Sequence, residues 1–140
     1  LTGGPFMTLY PQPGHERAVA AALLRPHAHM QCWGRSEIPR RLRYGRNPRV
    51  APVFCLAETG WSVTSRDYKP AQPELGAHGF DNFAPEMAAI FIAHGPAFRR
   101  GVTVRSFDNV DVYPLLARLV GVKARRNDGD LNELRSGLAP

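Results

Sequence analysis

Residues 74–98 read ELGAHGFDNFAPEMAAIFIAHGPAF, and the rest of the chain is organised around them. The stretch opens on a histidine between small residues, Gly76-Ala77-His78-Gly79. It passes through Phe80-Asp81-Asn82 and ends in an apolar run, Met87 to Ala93, closed by His94-Gly95-Pro96. Glycines give a turn unusual backbone freedom, and a short continuous apolar run bounded by breakers reads as a buried strand. A polar histidine on a turn that feeds such a strand is a plausible metal ligand at the mouth of an α/β fold.

Working outward, both flanks alternate short strands with helices. Residues 6–10 read as a strand, Pro11 to Gly14 as a turn, and residues 15–25 as a helix stopped by Pro26. Residues 30–33 form a short strand. Residues 50–57 and 61–64 flank Thr59-Gly60 and are expected to form a hairpin. The proline-bearing residues 66–74 read as an irregular loop, and Ala84 to Met87 as a short helical turn. After the central stretch, residues 89–93 are expected to be the most buried strand and residues 102–104 a short edge strand. Leu115, Leu116, Leu119 and Val120 make one apolar stripe, so a helix is expected from Val112 or Tyr113 to Val120, with Gly121 closing it. Mixed periods of 2 and 3.6 point to α/β. Two helices for about five strands leave a sheet short of cover, which suggests part of something larger.

The chain has 140 residues, ample for one domain, and 44% of them are hydrophobic. Its formal net charge is +6, from 18 Lys and Arg against 12 Asp and Glu; only Lys69 and Lys123 are lysine. That balance favours anionic partners without specifying nucleic acid. The densest charge lies between Arg40 and Arg49, around Tyr44. It supports an alternative reading as an anion- or nucleic-acid-binding module, against which stands a solvated face. A purely structural fragment is a third reading. Cys32 and Cys55 belong to no CxxC pair. A disulfide between them is open, but Cys55 sits in the apolar run of residues 53–57, where a free buried thiol is favoured. No run reaches membrane-spanning length. The opening LTGGP is no signal peptide and reads as internal to a longer chain.

No nucleophile elbow, P-loop, dinucleotide fingerprint, HExxH or EF-hand is present, and none of the serines has a nucleophile's context. His78 is the best ligand candidate. Asp81 and Asn82 either support its ring or cap the turn. His94, ending an apolar run, reads as a core or supporting histidine. His27 and His29 read as an exposed loop pair.

These features stand in an order that resembles the nucleotide pyrophosphatase/phosphodiesterase family of the alkaline phosphatase superfamily. His78-Gly79-Phe80-Asp81-Asn82 is similar to the family's HG(F/Y)DN segment. Gly95-Pro96-Ala97-Phe98, Phe107 to Pro114 and Asn127-Asp128-Gly129 follow in the family's order. Upstream, Ile38-Pro39, Tyr44, residues 47–50 and Gly60-Trp61 are similar too. The resemblance runs from about residue 38 to 131, with the first 37 residues matching only loosely. It implies an α/β fold, namely the C-terminal portion of an alkaline-phosphatase-like sandwich, incomplete as a stand-alone domain. Residues 1–140 would be one segment of a phosphodiesterase catalytic domain, with no separate second domain. The complete enzyme would hold two zinc ions, with His78 one ligand. A Thr or Ser nucleophile upstream of this chain would form the covalent intermediate, and the 140 residues alone would be inactive. The implied substrate is a nucleotide or another phosphodiester. The implied partner is the missing N-terminal catalytic portion, nucleic acid is not implied, and the location is secreted or periplasmic.

Overall fold

The computed structural model describes residues 3–67 and 76–140, so most of the loop expected over residues 66–74 lies outside the described residues. The chain falls into two compact units, Leu1–Ala89 and Ile90–Pro140.

The first unit is built on a three-stranded antiparallel sheet. Its strands are β1 (Phe6–Leu9), β2 (Met30–Gly34) and β3 (Val53–Ala57), in the order β1-β3-β2. β3 is central and every one of its residues is buried. Its side chains alternate between two apolar clusters, as the two-residue period of a strand requires. Val53, Cys55 and Ala57 meet Val63, with Val19 and Leu23 of helix α1 (Glu16–Leu23) packed against them. Phe54 and Leu56 meet Ile38 and Val50, joined by Trp33 and Leu42.

Two expectations change here. The hairpin over residues 50–64 does not form. β3 already has a strand on each edge, so residues 61–64 retain one isolated bridge, Val63 with Gly4. Cys55 is not a free thiol. Cys32 and Cys55 are cross-strand partners in the register, with Cα atoms 4.0 Å apart, and they form a disulfide.

The second unit packs around Leu115, Leu134 and Leu138, with Phe98, Val104, Phe107 and Leu131 against them. Helix α2 (Val112–Leu119) supplies Leu115, which is only 1% exposed. Gly121 ends the helix at φ +70, where a glycine is favoured. Asp111, at the start of α2, is buried. Its carboxylate accepts the backbone N–H of Asp108 at 3.1 Å and of Asp130 at 2.7 Å, tying the helix start to the turn at Asn127-Asp128-Gly129. The strands expected over residues 89–93 and 102–104 are absent as ladders among the described residues. Instead of being the most buried run, residues 89–93 expose Ile90 at 89% and Ile92 at 86%.

Removing the cystine with the double substitution Cys32→Ala/Cys55→Ala should lower unfolding free energy by about 2–4 kcal/mol. Urea denaturation with and without reductant measures it. Asp111→Ala strands two backbone donors and should cost about 1–3 kcal/mol in the same assay.

Candidate functional site

Residues 76–84 form the turn that carries His78, and three contacts hold it. Gly79 lies at φ +107, where a side chain is strained, and a Cβ there would stand 3.1 Å from the Phe6 ring, so glycine is favoured. Phe80 packs into the cluster on the Val53, Cys55 and Ala57 side of β3. Asp81 is gripped by Arg41, whose Nη1 donates to Oδ1 at 2.7 Å while Nη2 stands 2.6 Å from Oδ2. This two-pronged geometry is the arrangement a guanidinium fork makes best. Asp81 Oδ1 also accepts the Phe83 N–H at 3.0 Å, and the Arg41 guanidinium lies over the Phe83 ring, 5.7 Å from its centroid.

The electrostatics follow from this geometry. The hydrogen bond from Arg41 holds the Asp81 carboxyl below the usual aspartate range, assisted by the Phe83 N–H and opposed by partial burial. The same hydrogen bond raises the Arg41 guanidinium. Asp81 therefore acts as the clasp of the turn. Asn82 and His78 stand exposed beside it, and neither takes part in a hydrogen bond or ion pair with another described residue.

Sequence reasoning did not reach the Arg41 clasp. The two residues are 40 positions apart, and Arg41 had been read as part of a charged patch. Arg40, Arg43, Arg46 and Arg49 of that patch stand exposed. Besides the commitment of Arg41, Tyr44 packs on the Phe54 ring at 5.2 Å. The preceding Arg35 donates to the Pro48 and Val50 carbonyls. His94 is exposed and so is not a core histidine. His29 bonds Glu58 at 3.0 Å and stacks on Trp61 with ring centroids 3.6 Å apart, while His27 contacts the Leu23 carbonyl.

The expectation of zinc held through His78 is corrected. Among the described residues no group of three or more His, Cys, Asp or Glu side chains could hold a metal ion. The physical reason is commitment elsewhere: Asp81 is taken by Arg41, the cysteines are oxidised, and His29 belongs to Glu58 and Trp61. No helix among the described residues is long and apolar enough to cross a membrane.

The sequence profile of the type I phosphodiesterase/nucleotide pyrophosphatase family matches residues 1–81. The chain belongs to that family. The match includes the first 37 residues, which the motif comparison had joined only loosely, and it ends at the Asp81 clasp. Among the relatives of this chain, bis(5'-adenosyl)-triphosphatase of Xenopus laevis is 37% identical over 113 residues, 81% of this chain and 24% of the relative. Ectonucleotide pyrophosphatase/phosphodiesterase family member 7 of Homo sapiens is 37% identical over 134 residues, 96% of this chain and 29% of the relative. The solved structure of human ectonucleotide pyrophosphatase/phosphodiesterase 5 superposes with a TM-score of 0.88 at 29% identity. It covers 99% of this chain and 37% of the human chain. The α/β fold thus resembles part of the alkaline-phosphatase-like sandwich, and the chain spans less than a third of the length of the Xenopus and family member 7 relatives.

Because the Asp81 carboxyl is held low in the folded state, its contribution to stability is complete above the ordinary aspartate range and is lost as pH falls through the depressed value. Asp81→Asn should flatten that acid limb. Arg41→Ala should speed amide exchange over residues 79–83 while leaving β3 protected. Urea titrations between pH 2 and pH 6, as an approximate range, and hydrogen exchange measure the two effects.

Proposed function

We propose that these 140 residues are the C-terminal segment of a nucleotide pyrophosphatase/phosphodiesterase catalytic domain, without a separate second domain. On this reading the chain is incomplete as a stand-alone sandwich. The whole enzyme hydrolyses phosphodiester or pyrophosphate bonds of nucleotides or similar small diesters. The nucleophile is a Thr or Ser carried by the portion outside this chain. Its oxygen bonds to phosphorus as the bond to the leaving group breaks, and water then releases the phosphoryl group.

The observation that carries the reading is the agreement of 99% of this chain, at a TM-score of 0.88, with 37% of the longer human ectonucleotide pyrophosphatase/phosphodiesterase 5 chain. A murine relative that superposes at 0.86 was solved as an inactive threonine-to-alanine form in complex with AMP. This favours both the hydroxyl nucleophile and the nucleotide.

Within the chain, His78 is the residue assigned to the reaction site, with Asp81 and Asn82 supporting its loop. Its imidazole is exposed, unengaged by described residues and mounted on a turn anchored at Gly79, Phe80 and Asp81. Such a ring is free to donate or accept a hydrogen bond toward a bound group. A secreted or periplasmic location goes with the Cys32–Cys55 bridge, since structural disulfides persist in oxidising compartments.

The polypeptide at its native length should hydrolyse a chromogenic thymidine phosphodiester. His78→Ala should lower kcat/KM by about a hundredfold or more, a typical contribution of a group acting at the reacting centre. Arg43→Ala should leave it nearly unchanged. No hydrolysis by the native-length protein would overturn the assignment.

A further inference from the structure

Residues 40–49 of the first unit carry five arginines, and the sequence from residue 38 to residue 57 holds no Asp or Glu. Arg40, Arg41, Arg43, Arg46 and Arg49 are all exposed. Even with Arg41 paired to Asp81, the loop is strongly cationic. Its shape is held by its own backbone. Leu42 and Arg43 donate to the Pro39 and Arg40 carbonyls, Val50 donates to the Asn47 carbonyl, and a Cβ on Gly45 would stand 2.7 Å from the Arg35 carbonyl oxygen. Ile38 and Val50 anchor its two ends in the core. The charges therefore sit on a fixed scaffold, which lowers the ordering cost of meeting a partner.

Three exposed aromatic side chains gather at the same loop. Tyr10 is 67% exposed and donates its hydroxyl to the Arg49 carbonyl at 2.7 Å. Tyr44 is 41% exposed and packs on Phe54 from within the loop. Phe83 is 64% exposed and lies under the Arg41 guanidinium. Residues 10, 44 and 83 share no sequence pattern; tertiary contact alone collects them around the arginines. Large aromatic rings left in water beside a cationic loop suit a partner that is anionic at its surface and apolar beneath. A phospholipid bilayer is such a partner, because anionic headgroups attract arginine and aromatic rings settle at headgroup level. A single-stranded nucleic acid suits the site less well. Its bases need open ring faces, whereas Arg41 covers one face of Phe83 and Tyr44 packs against Phe54. Covering the loop with another part of the same polypeptide would strip water from several guanidinium groups at a high desolvation cost.

We propose that the arginine loop 40–49, together with Tyr10 and Phe83, docks the protein on the surface of an anionic phospholipid bilayer without crossing it. Docking of this kind needs no catalysis and stands apart from the phosphodiesterase reading.

Co-sedimentation of the native-length protein with phosphatidylglycerol-containing vesicles tests the proposal, with pure phosphatidylcholine vesicles as the neutral arm. Binding is expected on the anionic vesicles alone and should fall as salt screens the headgroups. The triple substitution Arg43→Gln/Arg46→Gln/Arg49→Gln should weaken it by about a hundredfold, at roughly fivefold for each arginine near an anionic surface. Tyr10→Ser/Phe83→Ser should weaken it by about tenfold through lost apolar burial. Hydrogen exchange over β3 checks that each variant is folded, and the comparison of the two lipids needs no variant at all. No binding to anionic vesicles, equal binding to both lipids, or full binding by the triple variant overturns the proposal. Unaltered binding by the aromatic variant also overturns it and leaves a patch that acts by charge alone. Capture of an oligothymidylate that the triple variant loses, with no vesicle binding, overturns it in favour of nucleic acid. Hydrolysis is read separately. Vesicle binding without hydrolysis keeps the docking surface and removes the enzyme, and hydrolysis without vesicle binding does the reverse.

Discussion

A strand of five residues with no solvent-facing side is the constraint on which the first unit depends. β3 has a strand on each edge and an apolar cluster on each face, so none of its residues can change size or polarity without disturbing a neighbour. Helix α1 is placed by where Val19 and Leu23 meet β3. The loop through Ile38 and Leu42 is placed by where they meet its opposite face. The His78 turn belongs to the same arrangement. Phe80 reaches the Cys55 side of β3, and the closeness of Phe6 of the neighbouring strand β1 adds to the preference for glycine at position 79. The position of the exposed imidazole is thus inherited from the packing of a buried strand.

The turn also shows how an ion pair near the surface can matter more for direction than for stability. Exposed pairs contribute little free energy on average. The Arg41 fork nevertheless fixes both oxygens of Asp81, and Asp81 in turn fixes the Phe83 amide. Three groups from two distant segments share one geometry, while His78 and Asn82 remain uncommitted. One arginine of a positively charged sequence run therefore serves as scaffolding for a loop 40 positions away.

Local patterning carried much of the fold. Strands β1 and β2, the core of β3, helices α1 and α2, the helical turn Pro85–Met87 and the glycine stop at Gly121 all follow from residue periodicity and breakers close in sequence. Pairing was less legible. Thr59-Gly60 is a good turn, but the expected hairpin lost because β1 and β2 occupy both edges of β3, and that competition involves residues 20 or more positions away. The cystine was hidden for the same reason: Cys32 and Cys55 are 23 residues apart, and only the register makes them neighbours. The HG(F/Y)DN-like segment identified the family correctly, yet its histidine gathers no donor set among the described residues, and the Arg41 clasp has no sequence signature at all. At residues 89–93 the pattern reads as a buried strand, whereas the structure leaves it open. Patterning reports the environment a segment is suited to, which need not be present within the same 140 residues.

The order β1-β3-β2 has a consequence for how the sheet comes into being. Both neighbours of the central strand precede it in the chain, and they do not pair with each other. During synthesis, β1, α1 and β2 emerge before any partner for them exists, and Cys32 must wait as a thiol for residue 55. Every ladder in this unit therefore closes in one late event, across non-local contacts that raise the entropic barrier to assembly. Oxidation after that event seals the register, so the bridge records that the central strand arrived in its correct place.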